Sequence, residues 1–403
     1  MNLMIRVAVA AGMVLCTQFA FSEGGAALWK VSDAMWRQPK TYPIPSQDKP
    51  GVKAMAVEGE VWQGRQTRFF AYWGLPAGAS PERKVPGIVL VHGGSGTAFD
   101  DWVRTWTSRG YAAIAMDNCG GFPCRIKELG GSLRHAFSGP NGWGNFHLAG
   151  EPLRDQWTYQ AVSTVIRSHS FLRTRPEVDP ARIGITGISW GGYLTACVAG
   201  IDDRFAFAAP VYGCAHLADH SVWSEEIRKL GERGRRWDAL WDAKNFLPSA
   251  RIPVLWATGS NDRFFPLDSL QRGCDLLPES PRLVLRVRMP HGHPPAGDPK
   301  EIAAFADHFA FGRPALPEIV ATRTGDRLTA KWNAFGRRIA KAELVYTVSS
   351  DPNWEKRLYE TRDVPFQEDF LVCAIPSDII VCWLNLVCED GLVSSSRIFF
   401  SPL

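Results

Sequence analysis

Gly187-Ile188-Ser189-Trp190-Gly191 sets a serine between two glycines at the seam of two sequence patterns. Ala181-Arg182-Ile183-Gly184-Ile185-Thr186, just before it, reads as a short buried strand, and residues 192–199, just after it, read as a helix. A chain that passes from strand to helix within one residue strains the backbone there, and flanking glycines remove the Cβ atoms that would crowd the turn. The serine hydroxyl then projects from the sheet edge, and the backbone N–H of Trp190 can help hold an oxyanion. Gly-x-Ser-x-Gly alone occurs by chance in many chains, and a purely structural glycine-rich turn is the competing reading. Placed between a strand and a helix, the motif becomes a specific signal.

Strands and helices alternate on both sides of this turn. Residues 85–91 and 111–116 read as strands, 99–109 as a helix, and 153–172 as a long helix with apolar residues at helical spacing. Further strands are expected at 205–211, 253–258 and 283–289, and further helices at 267–277 and 299–311. This alternation predicts an α/β protein with a mostly parallel sheet and helices on both faces. Alternating apolar residues over 57–75 predict antiparallel strands ahead of it, and the Pro- and Lys-rich stretch 23–59 is expected to wrap the surface. Two insertions, 119–150 and 215–245, follow strands on the side where such sheets bind ligands, and are expected to wall or cover the site. Beyond Arg313-Pro314 the pattern changes to short strands between turn residues, a hairpin around Thr324-Gly325-Asp326 among them. Residues 314–403 are therefore expected to form a small all-β, sandwich-like domain that braces residues 60–313.

A serine hydroxyl is a poor nucleophile until a base removes its proton, and that base must itself be oriented. The carboxyl ends of the later strands offer both partners in the order serine, acid, histidine. Gly259-Ser260-Asn261-Asp262 follows a buried strand and presents Asp262, while Asp268, inside the next helix, is only a reserve acid. The following strand leads to Pro290-His291-Gly292-His293, so either His291 or His293 can be the base. A metal bound by the His-x-His pair lacks neighbouring carboxylate or cysteine ligands in the sequence.

With these landmarks in place, residues of about 60–312 resemble the α/β-hydrolase superfamily, particularly its acetylxylan esterase, dienelactone hydrolase and prolyl-oligopeptidase-like branches. Val91-His92-Gly93-Gly94-Ser95-Gly96 is similar to their oxyanion loop, Gly187 to Gly191 to the nucleophile elbow, and Gly259 to Asp262 to the acid turn. The resemblance implies a Ser189–Asp262–His293 triad, because relatives place the catalytic histidine just after a glycine; His291 is the alternative base. It also implies that amides of Gly94 or Ser95, with that of Trp190, face the oxyanion, and that His92 is structural. The expected activity is hydrolysis of a carboxylic ester, foremost of an acetylated plant polysaccharide or its oligomers, with no metal or organic cofactor. Trp190 departs from the carbohydrate-esterase family seven pattern, which has Gln after the serine and an Arg-Gly-Gln element. A serine peptidase of the prolyl-oligopeptidase type is the alternative, although residues 23–60 are too short for the propeller of that branch. A non-catalytic binding protein on the same fold is a further one.

Composition agrees with a globular enzyme. The 403 residues are 45% hydrophobic and 21% charged, and the net charge of +4 is spread without a basic run, so nucleic acid is not an expected partner. Met1 to Arg6 is a short positive segment and residues 7–21 are apolar. Ala20-Phe21-Ser22 offers a cleavage site before Glu23, so 1–22 read as a signal peptide and the protein as exported, secreted or periplasmic, with no membrane anchor after cleavage. An oxidising compartment would permit disulfides among the eight cysteines outside the signal, with Cys119–Cys124 the first pair to test, whereas Cys197 is expected to be a buried apolar residue.

Overall fold

The computed structural model describes residues 29, 33–123, 132–293, 297 and 299–401. The signal-peptide reading of 1–22 and Cys124 therefore lie outside the described residues.

Strands β1 (Thr41–Pro43), β2 (Lys53–Trp62) and β3 (Arg65–Gly74) are antiparallel, the last two joined through Gln63 and Gly64 at φ 48° and 74°. Two successive residues with positive φ make a tight turn whose twist matches that of its strands. Next come β4 (Val85–Val91), β5 (Ala112–Met116), the short ribbon β6 (Gly121–Pro123) with β7 (Ser132–Arg134), β8 (Val178–Ile188), β9 (Phe207–Val211), β10 (Leu255–Gly259) and β11 (Arg282–Arg286). The main sheet runs β1-β2-β3-β5-β4-β8-β9-β10-β11 and is parallel from β5 to β11. Its central strands are covered on both faces, so β4 is almost continuously apolar, with Ile88, Val89, Leu90 and Val91 fully buried.

Helices α1 (Asp100–Ser108), α2 (Trp157–Arg173), α3 (Trp190–Ala199), α7 (Leu267–Cys274) and α8 (Lys300–Phe311) supply the layers, and α4 (Leu217–His220), α5 (Ser224–Lys229) and α6 (Glu232–Trp241) form the second insertion. The chain steps from β4 to β5 on one side and then crosses to β8 on the other. A crevice opens at such a reversal, outside the carboxyl ends of the strands. The loop after β4 and the turn after β8 meet there. No described helix is long and apolar enough to cross a membrane.

The C-terminal part contributes β12 (Glu318–Thr324), β13 (Arg327–Asn333), β14 (Ile339–Thr347), β15 (Glu360–Val364), β16 (Phe370–Ala374), β17 (Val381–Cys388), β18 (Val393–Ser395) and β19 (Phe399–Phe400). A three-stranded sheet, β12-β13-β16, packs Leu328, Ala330, Trp332 and Leu371 against Leu344, Leu384 and Leu386 of the other layer, forming a second core. That other layer is not free-standing. Strand β18 pairs antiparallel with β11 at Leu283 and Ser395, so the main sheet continues through β18-β17-β14-β15 and, with β19 paired to β17, has fourteen strands in all. Side chains complete this short seam: Leu285 N–H donates to Ser395 Oγ at 2.9 Å, and Asn385 Nδ2 donates to the Leu285 carbonyl at 3.4 Å.

The expected disulfides do not appear among the described residues. Cys119, Cys197, Cys214, Cys274, Cys373, Cys382 and Cys388 are all buried and unpaired. Burial pushes their thiols up, well above the usual range for Cys197 and Cys214, so they sit in the core as small apolar groups.

Candidate active site

Ser189 caps α3 with φ 59° and ψ −117°. Its amide donates to the Val211 carbonyl of β9 at 2.9 Å and its carbonyl accepts from the Tyr193 amide at 2.9 Å, so sheet and helix hold the turn from opposite ends. A Cβ at Gly187 would lie 2.2 Å from the Gly191 carbonyl oxygen, and one at Gly191 would lie 2.0 Å from that of Val91. Neither backbone could yield without moving β4 or the turn itself, which is why glycine stands at both positions.

Asp262 follows β10, and its side chain is only 1% exposed. Its Oδ1 accepts from the amides of Phe264 at 2.8 Å and Phe265 at 3.2 Å, leaving Oδ2 for the Nδ1 of His291 at 2.8 Å. The Nε2 of His291 lies 2.9 Å from Ser189 Oγ. With Nδ1–H donated to the carboxylate, Nε2 is the acceptor and the serine hydroxyl the donor, the arrangement that lets an imidazole take the serine proton. Tyr212, at the end of β9, stacks on the His291 ring at 4.2 Å, and its hydroxyl donates to the Pro290 carbonyl at 2.6 Å. Phe264 packs on the ring as well, with centroids 4.6 Å apart.

The expectation of His293 as base is corrected by this geometry. Strand β11 ends at Arg286, and Arg288 at φ 55° turns the chain immediately. The loop is tighter than a base at 293 requires, and Tyr212 holds Pro290 so that the next residue faces Ser189. His293 is carried away to α1, where its ring lies 4.7 Å from Phe99 and 4.8 Å from Trp102. Burial lowers its pKa to about 4, and the ring stays neutral as an apolar plug. Asp268 pairs with His220, away from the triad.

The loop after β4 lies against Ser189: a Cβ on Gly93 would be 2.9 Å from Ser189 Cβ. His92 is fully buried, donates Nδ1–H to the Gly93 carbonyl at 2.7 Å and accepts from the Asn118 amide at 3.1 Å. Both ring nitrogens are thereby occupied in shaping the loop. Gly94 sits where a Cβ would come 3.0 Å from the Trp190 ring and 3.1 Å from that of Trp143. Trp190 begins α3, where a helix leaves its first amides without intrahelical acceptors and presents the positive end of its dipole. Both insertions reach this space, Trp143 from the first and Trp223, 4.7 Å from the Trp190 ring, from the second. Sequence reasoning missed Tyr212, Phe264 and Asn118. Tyr212 was visible as the residue between a buried strand and a glycine; the backbone amide of Asn118 and the ring contact of Phe264 left no signal.

Residues 138–312 match the model of the prolyl oligopeptidase family, and residues 52–223 match that of acetyl xylan esterase. Among curated proteins the chain is similar to the uncharacterized peptidase YuxL of Bacillus subtilis (strain 168), with 23% identity over 241 residues, 54% of this chain and 33% of that protein. It is similar also to the putative hydrolase YtaP of the same organism, with 26% identity over 172 residues, 41% of this chain and 52% of that protein. The chain thus spans about a third to a half of the length of these curated relatives. Among solved structures it is similar to an acetyl xylan esterase from Paenibacillus sp. R4, with a TM-score of 0.56 and 22% identity, covering 70% of this chain and 94% of that one. That likeness establishes the fold.

Proposed function

We propose that the chain, parts of which match the prolyl oligopeptidase and acetyl xylan esterase family models and whose fold is similar to that of an acetyl xylan esterase, is a serine hydrolase cleaving carboxylic esters. The observation that carries this reading is the unbroken chain Asp262–His291–Ser189, with contacts of 2.8 and 2.9 Å. Ser189 Oγ attacks the ester carbonyl as His291 Nε2 takes its proton. Asp262 holds the imidazole tautomer and stabilises its positive form. The amides of Gly94 and Trp190 receive the oxyanion; removing one such donor typically costs about 3–4 kcal/mol in the transition state. The protonated His291 then gives its proton to the departing alcohol, and water activated by the same imidazole releases the acid from the acyl-enzyme.

The leading substrate class is an acetylated polysaccharide or its oligomers, supported by the match of residues 52–223 to acetyl xylan esterase and by the Trp143 and Trp190 rings packed beside Gly94. Export follows from the reading of residues 1–22 as a signal peptide. One observation favours a peptidase as the second reading. The prolyl oligopeptidase match contains Ser189, Asp262 and His291, whereas the acetyl xylan esterase match holds Gly94 and Ser189 but ends before the acid and the base. The test is acetate release from acetylated xylan beside cleavage of aminoacyl amides, with fluorophosphonate labelling of Ser189. Strong amidase activity without esterase activity would select the peptidase, and a folded protein that resists labelling would overturn both readings.

A further inference from the structure

Asn261 lies beside Asp262, on the acid turn, yet its side chain points to the C-terminal β layer. Its Nδ2 donates to the carbonyls of Trp354 at 3.0 Å, Glu355 at 3.3 Å and Arg357 at 2.6 Å. The receiving turn is built to stay in place. Asn353 accepts from the Glu355 amide, Arg357 Nε donates to the Asp351 carbonyl at 2.8 Å, and the Arg357 guanidinium lies 3.7 Å from the Trp354 ring. Trp354 is 9% and Arg357 8% exposed, so these two side chains anchor the turn although Glu355 and Lys356 between them are exposed.

The other end of Asn261 reaches toward the base. Its Oδ1 accepts from Ser260 Oγ at 2.6 Å, and the same hydroxyl oxygen accepts the Arg288 amide at 3.0 Å, where the loop to His291 begins. At Gly259 the two segments touch directly, since a Cβ there would lie 2.2 Å from the Met289 carbonyl oxygen. One side chain therefore ties three pieces together: the 351–357 turn, the acid turn and the start of the base loop. The amide suits this place because it offers two N–H donors, shared among the three carbonyls, and an acceptor to the hydroxyl at once. The bonds to the Trp354 and Arg357 carbonyls are part-buried and that to Glu355 is exposed, so the turn is held chiefly through the first two.

We propose that Asn261 is a positioning residue through which the 351–357 turn holds Asp262 and the base of the His291 loop in register with Ser189. The C-terminal β layer is then part of the machinery that aligns the triad. This inference rests on the hydrolase reading of Ser189, His291 and Asp262.

The test compares wild type with Asn261→Ala and Asn261→Gln, the latter keeping a donor on a longer stem. Each protein is titrated with a fluorophosphonate, so that rates refer to competent sites and a partly misfolded sample does not count as a slow one. In Asn261→Ala the labelling rate and kcat should fall about 10- to 100-fold, the scale of a small misplacement of reacting groups. KM should stay within about twofold, because alignment of the triad is not ground-state binding. The pH profile of kcat/KM should differ from that of wild type, since the contact between His291 Nδ1 and Asp262 Oδ2 is disturbed. Asn261→Gln should recover part of both changes. Equal labelling rates and coincident pH profiles in wild type and Asn261→Ala would overturn the inference and leave the hydrolase reading standing. So would a loss confined to the number of competent sites and the melting temperature. A wild type that does not label at all would overturn the hydrolase reading and this inference with it.

Discussion

His291, and not His293, stands between Ser189 and Asp262, with its two ring nitrogens 2.9 and 2.8 Å from their oxygens. Replacing Ser189 or His291 has a clear consequence. Ser189→Ala and His291→Gln should each lower kcat about a million-fold. Ser189→Ala should leave the melting temperature nearly unchanged. His293→Leu should retain kcat within a small factor at pH 7.5. Ester turnover by the three variants checks the assignment, and a His293→Leu enzyme as dead as His291→Gln would reverse it.

His293 should reveal itself in stability instead. Its folded pKa is depressed from 6.5 to about 4 by burial between Phe99 and Trp102. The unfolded chain takes up this proton as pH falls below 6.5, while the folded chain resists until about 4. The stabilisation from this group is therefore complete above pH 6.5 and is lost as pH falls toward 4, by roughly 3 kcal/mol at most. His169, buried against Asp202 and also lowered to about 4, adds a slope of the same sign, so the difference between variants is the quantity to read. Denaturant unfolding at pH 7.5 and 4.5 should show a shallower fall in His293→Leu than in wild type.

The parallel sheet was legible because its strands are buried on both faces and read as apolar runs, with 85–91 matching β4 residue for residue. The serine turn was legible because its strand and helix adjoin it in the chain and a Cβ at Gly187 would meet Gly191 within the same turn. The base was not, because His291 and His293 share one local pattern. What separates them is a hydroxyl from Tyr212, 78 residues before Pro290 in the chain, and an aromatic box on α1. The seam between β11 and β18 was hidden for a similar reason. It rests on one backbone pairing and on Asn385 and Ser395, polar residues that periodicity assigns to a solvent face.

Trp143 should tune substrate choice. Its ring edges against Gly94, and the residue is 39% exposed, so little of the core depends on it. Trp143→Ala should shift stability by no more than about 0.5 kcal/mol. It should raise KM and change the order of preference in a panel of esters of increasing acyl length. An unchanged order would mean that the substrate does not touch this wall.

The elbow should tolerate no added carbon. In Gly191→Ala the new Cβ would meet the Val91 carbonyl at 2.0 Å, an atom fixed in the middle of the main sheet. Soluble yield should collapse, or unfolding free energy should drop by about 3 kcal/mol or more. Wild-type stability in this variant would show that α3 can slide relative to β4.

Because β18 lies along β11, residues after 313 act as the lid on an otherwise open row of backbone donors and acceptors. A chain cut there would expose β11, with Leu283, Val284 and Leu285 at its centre, as a template for a strand from any neighbouring molecule. The shortened protein should self-associate into ladders or aggregate rather than behave as a smaller hydrolase. Light scattering of such a truncation would distinguish that fate from a merely weakened fold.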